Sequence, residues 1–233
     1  MQIVPWTISG IKGLVENIPQ QLPEAAPRRQ DVARYLRDLF QNQVAILCIV
    51  PAGIAMMQQQ RAYGLYPSLQ WYWYLVAMVS GVLLLALGIL VSKSTGSLMQ
   101  RCIPAQYARD CRQYAITMQN LQHQHLWQRL VLGLVNGFSE EMLMRVFLMG
   151  FLIHFLQLSV SSAFAISVLL NGLHHTQQGR ILGVVSVMVI QSFYAAAYLL
   201  WQDYLLIGLM HVGSDITGLV LVGLLQNRSS ERE

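Results

Sequence analysis

Charge is scarce in this chain. Only 11% of its 233 residues are Asp, Glu, Lys or Arg, while 55% are hydrophobic and the mean hydropathy is +0.44. That balance excludes an ordinary soluble domain of this length and points to an integral membrane protein. Cysteine is scarce too: Cys48 falls in an apolar run and Cys102 and Cys111 in a polar stretch, an odd number without metal-ligand spacing, so no disulfide framework is expected. The first residues, with Pro5, Lys12, Glu16, Pro19 and Pro23, lack the charged start, apolar core and cleavage site of a secretory signal, and the mature chain is expected to begin near Met1. Although the net charge is +4, the basic residues sit in loops beside oily segments and form no stripe among aromatics. They mark topology, and no nucleic-acid partner is expected. There is no internal repeat.

What the chain has in abundance is oily runs, at roughly 44–57, 71–92, 128–157, 161–174, 181–200 and 204–225. Since a crossing helix needs about 20 residues, the expected fold is an all-α integral membrane protein with about six transmembrane helices. The first and fourth runs are short. The third, at about 30 residues, exceeds one straight crossing and reads either as a tilted helix or as two helices breaking near Asn136-Gly137. Lys and Arg alternate between successive loops in the manner expected when both termini are cytoplasmic.

The resulting organisation is a cytoplasmic or interfacial segment at 1–43, a two-span front at 44–92, a polar cytoplasmic linker at 93–126, a four-span back at 127–225 and a polar tail at 226–233. Within the first segment Val32, Tyr35, Leu36, Leu39 and Phe40 recur at helical spacing, which suits an amphipathic helix on the membrane or an ordinary surface helix. His123 and His125 in the linker diverge on a helical wheel and read as solvated side chains.

Three constellations interrupt the oil. Glu140, Glu141 and Arg145 lie between Val131–Val135 and Phe147–Ile153, where each ionised group costs roughly 2.5–3.5 kcal/mol on insertion scales. Residues four apart share a helical face, so Glu141 and Arg145 suit an ion pair, whereas Glu140 is swung away and remains the candidate base. Polar contacts between helices would use the same residues. The second constellation, Asn171-Gly172-Leu173-His174-His175, places Asn171 and His175 on one face at the end of an apolar run. The third, His211-Val212-Gly213-Ser214-Asp215, sets an imidazole and a carboxylate one turn apart, able to bond to each other or to converge on a ligand. Gly133 and Gly137 are spaced for close helix approach. No glycine-flanked nucleophilic serine is present, Ser139 and Ser214 reading as caps or packing, and the zinc-protease motif His-Glu-x-x-His is absent.

Taken in order, Glu140-Glu141-x-x-x-Arg145, Gly172-Leu173-x-His175 and His211-x-x-x-Asp215 resemble the CAAX protease and bacteriocin-processing (CPBP, Abi) family of intramembrane proteases over roughly residues 127–225. The resemblance implies helices enclosing a polar cavity open to the cytosolic side, and a membrane-bound peptide or prenylated protein as substrate. It also implies that Glu140 and His175 activate a water, that His211 and Asp215 face the scissile carbonyl, and that Glu141 and Arg145 support the motif. A metal-independent glutamate mechanism is the expectation, with Zn²⁺ the lesser option. Two positions depart from the pattern. Asn171 stands where the family usually has phenylalanine, and its amide suits either a hydrogen bond that would set the tautomer of His175 or a different local packing; the choice of His175 over His174 follows from the alignment alone. Asp215 stands where the family uses asparagine or aspartate, and because an ionised carboxylate repels an oxyanion, it is expected to orient His211, to be protonated or to ligate a metal. Two other classes fit parts of the sequence: a non-proteolytic binding, scaffold or immunity protein of the same fold, and a proton-coupled transporter, which the lack of related halves disfavours.

Overall fold

The computed structural model describes residues 43–230 apart from 44, 52, 55–62, 66, 123 and 124, all within one compact unit, Asp38–Glu233. The expected amphipathic helix before residue 43, and His123, lie outside the described residues. Between 43 and 54 the described residues are helical. The remainder forms α1 (Trp71–Cys102), α2 (Pro104–Gln122), α3 (Leu126–Glu141), a π-helical segment (Met142–Met149), α4 (Gly150–His154), α5 (Val160–His174), α6 (Thr176–Trp201) and α7 (Tyr204–Ser230), with no strand among the described residues.

α1 and α6 are long and apolar enough to cross a membrane, and Val160–His174 and Tyr204–Val220 are apolar but shorter. In α1 the buried positions are mostly small, Ala77, Gly81, Gly88 and Gly96 with Leu84 and Met99. Its large apolar side chains face outward instead, among them Trp71, Leu75, Val79, Leu83 and Leu90. Only 22% of its most apolar window is buried, and 33% of that of α6. A core helix of a soluble protein buries its oily face; these two expose it.

The polar stretch at 93–126 is largely helix among its described residues. α1 continues through Lys93 to Cys102, its Ser94 hydroxyl donating back to the Leu90 carbonyl at 3.0 Å, and Pro104 opens α2 at the first helical position, where a missing N–H costs nothing. His125 is exposed and caps α3, its own N–H donating to Gln128 Oε1 at 2.9 Å.

The long third run does not break at Asn136-Gly137. α3 passes through both residues, because Gly137 lies against α7 so closely that a Cβ there would sit 2.9 Å from the Val212 nitrogen, and Gly133 faces Ile216 and Leu219 of the same helix. The departure from α geometry comes later, at Met142–Met149, where the Gly150 N–H donates to the Arg145 carbonyl five residues back. Such wide turns recur at functional sites.

α7 packs between α1 and α3, and α6 packs on α1, α2 and α5. Asp203, fully buried, fixes the turn between α6 and α7. Its Oδ1 accepts the Leu206 N–H at 3.0 Å as a helix N-cap, while Oδ2 accepts from Ser68 N–H at 2.8 Å, the Ser68 hydroxyl at 3.1 Å and the Tyr74 hydroxyl at 2.8 Å. Gly64 completes the clasp by accepting the Tyr204 N–H at its carbonyl, 2.8 Å away. At the other end of α6, Asp110 of α2 accepts the Leu182 N–H at 3.1 Å, just after the left-handed residue Arg180.

Candidate active site

The polar residues that interrupt the oily runs meet where the end of α3, the π-helical segment, the α5–α6 junction and the middle of α7 converge. Glu140 and Glu141 close α3, Arg145 lies in the π-helical segment, Asn171 is in α5, His175 joins α5 to α6, and His211 and Asp215 are on α7. Successive residues on a helix point about 100° apart, and the two glutamates accordingly have different partners. Glu140 Oε2 lies 3.4 Å from His175 Nε2 and 3.8 Å from His211 Nε2. Glu141 Oε2 lies 3.3 Å from Arg145 Nε, and its Oε1 is 2.8 Å from His211 Nδ1.

Arg145 binds the surrounding helices together. It is fully buried, donates to the Ser167 hydroxyl of α5 at 3.1 Å and to the Gln191 carbonyl of α6 at 3.2 Å, and also bonds the Gln191 side chain. Ser167 passes the connection on, its hydroxyl donating to the Met144 carbonyl at 2.9 Å. Exposure grades across the cluster: Glu141 and Arg145 have none, the Glu140 side chain has 12% and that of Asp215 25%. Glu141 and Arg145 are thus fully shielded, and Asp215 is the most open member of the cluster.

His211 is the most constrained ring. Besides Glu141 at Nδ1, its Nε2 lies 3.5 Å from Asp215 Oδ1. The Tyr194 ring stacks on it with centroids 4.9 Å apart and planes 27° from parallel. The Tyr194 hydroxyl pairs with Ser214 Oγ at 2.8 Å, and Ser214 donates to the His211 carbonyl at 2.7 Å. The closest carboxylate on His211 therefore comes from Glu141, on another helix, and not from Asp215 one turn away. Periodicity along α7 shows only the second of these; the first requires the packing of α3 against α7.

The adjacent histidines separate cleanly. His175 is buried and turned to Glu140, whereas His174 is exposed, its ring edge-on to that of His175 at 5.6 Å. Asn171 is brought into the buried interior, and of its two readings the hydrogen bond to His175 is not made: neither its Oδ1 nor its Nδ2 has a hydrogen-bond partner. The i, i+4 spacing put the two residues on one face without ensuring that the short amide reaches the ring.

Asn136 and Tyr194 are absent from the sequence-based set. Asn136 donates through Nδ2 to Asp215 Oδ2 at 3.0 Å, and its Oδ1 accepts from Gln43 Nε2. Its place one turn before Glu140 was a usable signal. Nothing local in the sequence singles out Tyr194. Among the described residues no three His, Cys, Asp or Glu side chains are grouped as ligands of a metal ion; Glu140 meets both histidines, and His211 meets Asp215 as well.

Residues 122–217, less than half of the chain, match the family model described as type II CAAX prenyl endopeptidase, Rce1-like. The family resemblance carried by the three boxes is thus the one found by comparison, and the match includes every residue of the cluster except Gln43. No curated protein and no solved structure matches the chain.

Proposed function

We propose that this chain is a multi-pass intramembrane endopeptidase of the CAAX type, hydrolysing a peptide bond with a water activated by Glu140 and His175. The carrying observation is the approach of Glu140 Oε2 to both His175 Nε2 and His211 Nε2, at 3.4 and 3.8 Å, inside an otherwise apolar helical assembly. The membrane reading is supported by outward-facing oily surfaces on α1 and α6, helices that soluble surroundings would leave uncovered. About six spans with both termini cytoplasmic remain the proposed topology.

In this mechanism Glu140 takes a proton from water as the oxygen attacks the scissile carbonyl carbon, with His175 orienting that water. The carbonyl oxygen gains the charge and is met by the Nε2 side of His211, a ring held by Glu141 at Nδ1 and by Tyr194 on its face. The carbon–nitrogen bond then breaks, and the proton on Glu140 passes to the departing amine. No covalent intermediate is needed. Asp215 keeps the Nε2 edge aligned from a position anchored by Asn136.

The test is cleavage by purified wild type, Glu140→Gln and His175→Ala of a panel of farnesylated and unmodified membrane peptides, read by mass spectrometry with and without a chelator. Loss of a general base costs on the order of 10²–10⁴ in rate. Both variants are expected to fall by that much while staying folded, and chelation is expected to leave the wild type active. Cleavage undiminished in Glu140→Gln would remove the proposed base.

A further inference from the structure

We propose that Asn136 is a positioning residue that aims the Asp215 carboxylate at His211, and that Gln43 sets the orientation of the Asn136 amide. This rests on the hydrolytic reading of the site and adds to it a relay from outside the three sequence boxes.

A carboxylate can only accept hydrogen bonds. An asparagine facing one must therefore present its NH₂ group, as Asn136 does toward Asp215 Oδ2 at 3.0 Å. Its Oδ1 is then turned away and needs a donor. Gln43 provides it from the helical stretch before residue 54, and that side chain is itself buried. Two amides thus form a polarised chain, Gln43 to Asn136 to Asp215, whose free end is Asp215 Oδ1, 3.5 Å from His211 Nε2.

Such a tether has a physical task. Asp215 is the most exposed carboxylate of the cluster, with a quarter of its side chain open, so without Asn136 its carboxylate is free to rotate away from His211. His211 would then lose the nearer of the two carboxylates at its Nε2, keeping only Glu140 at 3.8 Å. With Asn136 in place, one carboxylate oxygen is occupied and the other is committed to His211. Asn136 lies one turn before Glu140 on the same face of α3, so a single helix carries both the proposed base and the tether. The amide also draws Asp215 charge toward Oδ2, away from where an oxyanion would form.

A tether predicts coupling, which a packing role does not. With a farnesylated, internally quenched CAAX peptide and the full chain in nanodiscs, Asn136→Leu is expected to lower kcat about 10- to 100-fold with KM unchanged, the worth of one hydrogen bond to a charged group. Gln43→Leu is expected to cost about tenfold or less. In an Asp215→Ala background neither substitution should cost anything further; equal losses in both backgrounds would overturn the proposal. Size-preserving variants guard against misfolding. Asn136→Asp alone, which sets two carboxylates together, should lower kcat, and adding Asp215→Asn should restore it because the donor and acceptor have merely exchanged places. An exchange pair no better than Asn136→Asp also overturns it. If the wild type cleaves no peptide, the hydrolytic reading fails, and ¹⁵N spectra of histidine-labelled protein decide the tether separately: His211 ring signals that move in Asn136→Leu support it, and unmoved signals refute it.

Discussion

Arg145→Met is the sharpest probe of how this helical assembly tolerates charge. The guanidinium is fully buried, faces Glu141 at 3.3 Å and bonds Ser167 and Gln191, so one side chain joins the π-helical segment to α5 and α6. Methionine keeps most of the apolar stem but leaves the Glu141 carboxylate with His211 alone. Removing one partner of a buried ion pair typically costs about 3–5 kcal/mol, because the remaining charge is uncompensated. Against a total stability of about 5–15 kcal/mol that is a large fraction. Glu141→Gln in the same chain removes the stranded charge and retains a carbonyl oxygen that can accept the His211 Nδ1 proton. The double variant should therefore be more stable than Arg145→Met, with a coupling of about 1–3 kcal/mol. Equilibrium unfolding of the detergent-solubilised protein, followed by helical circular dichroism as a denaturing detergent is titrated in, measures both differences. A loss below about 1 kcal/mol for the single variant, or a double variant no more stable than the single, would refute the view of Arg145 as an essential counter-charge.

Asp203→Ala should destabilise the chain by about 2–4 kcal/mol, since it removes the α7 cap and leaves the Leu206 N–H and the Tyr74 hydroxyl without their acceptor; cleavage per folded molecule should be unchanged, and a fall in kcat would place the clasp nearer the chemistry than its geometry does. Asn171→Leu should raise stability by about 1–3 kcal/mol, because it replaces a buried amide that has no hydrogen-bond partner; a lower unfolding midpoint would show that the amide has a native role. Tyr194→Phe keeps the stack on His211 and loses only the bond to Ser214, at about 1 kcal/mol. Tyr194→Leu also loses the aromatic pair, worth about 0.5–1.5 kcal/mol, and should lower kcat further than the phenylalanine variant; equal kcat in the two would show that stacking does not hold the ring. Gly137→Val should force α3 and α7 apart at Val212, at about 1–3 kcal/mol for overpacking, and should lower kcat by separating Glu140 from His211, a loss that activity assays in a folded variant would register.

Composition and local spacing carried a good deal. The oily runs made the fold all-helical because continuous apolar stretches at these lengths leave few other ways to satisfy the backbone, and the helix period separated Glu140 from the Glu141–Arg145 pair without any knowledge of neighbours. The order of the three boxes was enough to name the family that residues 122–217 match. What periodicity could not give were interactions between helices. The Glu141 bond to His211 spans 70 positions, that of Asn136 to Asp215 spans 79, and that of Gln43 to Asn136 spans 93. Of the two readings of the third run, a tilted helix or a break near Asn136-Gly137, the helix passes unbroken through both residues, and Gly133 and Gly137 make the close helix approach their spacing suggested, against α7.

The sequence by itself determined which residues carry charge inside oil, and on which helical face each stands, because both follow from composition and the 100° turn between neighbours. Beyond the pairs one turn apart, Glu141 with Arg145 and His211 with Asp215, only the tertiary structure decided which charge answers which. Partner choice among buried groups depends on how closely two backbones approach, and that distance is set where glycines on α3 meet α7 and where Arg145 reaches across to α5 and α6.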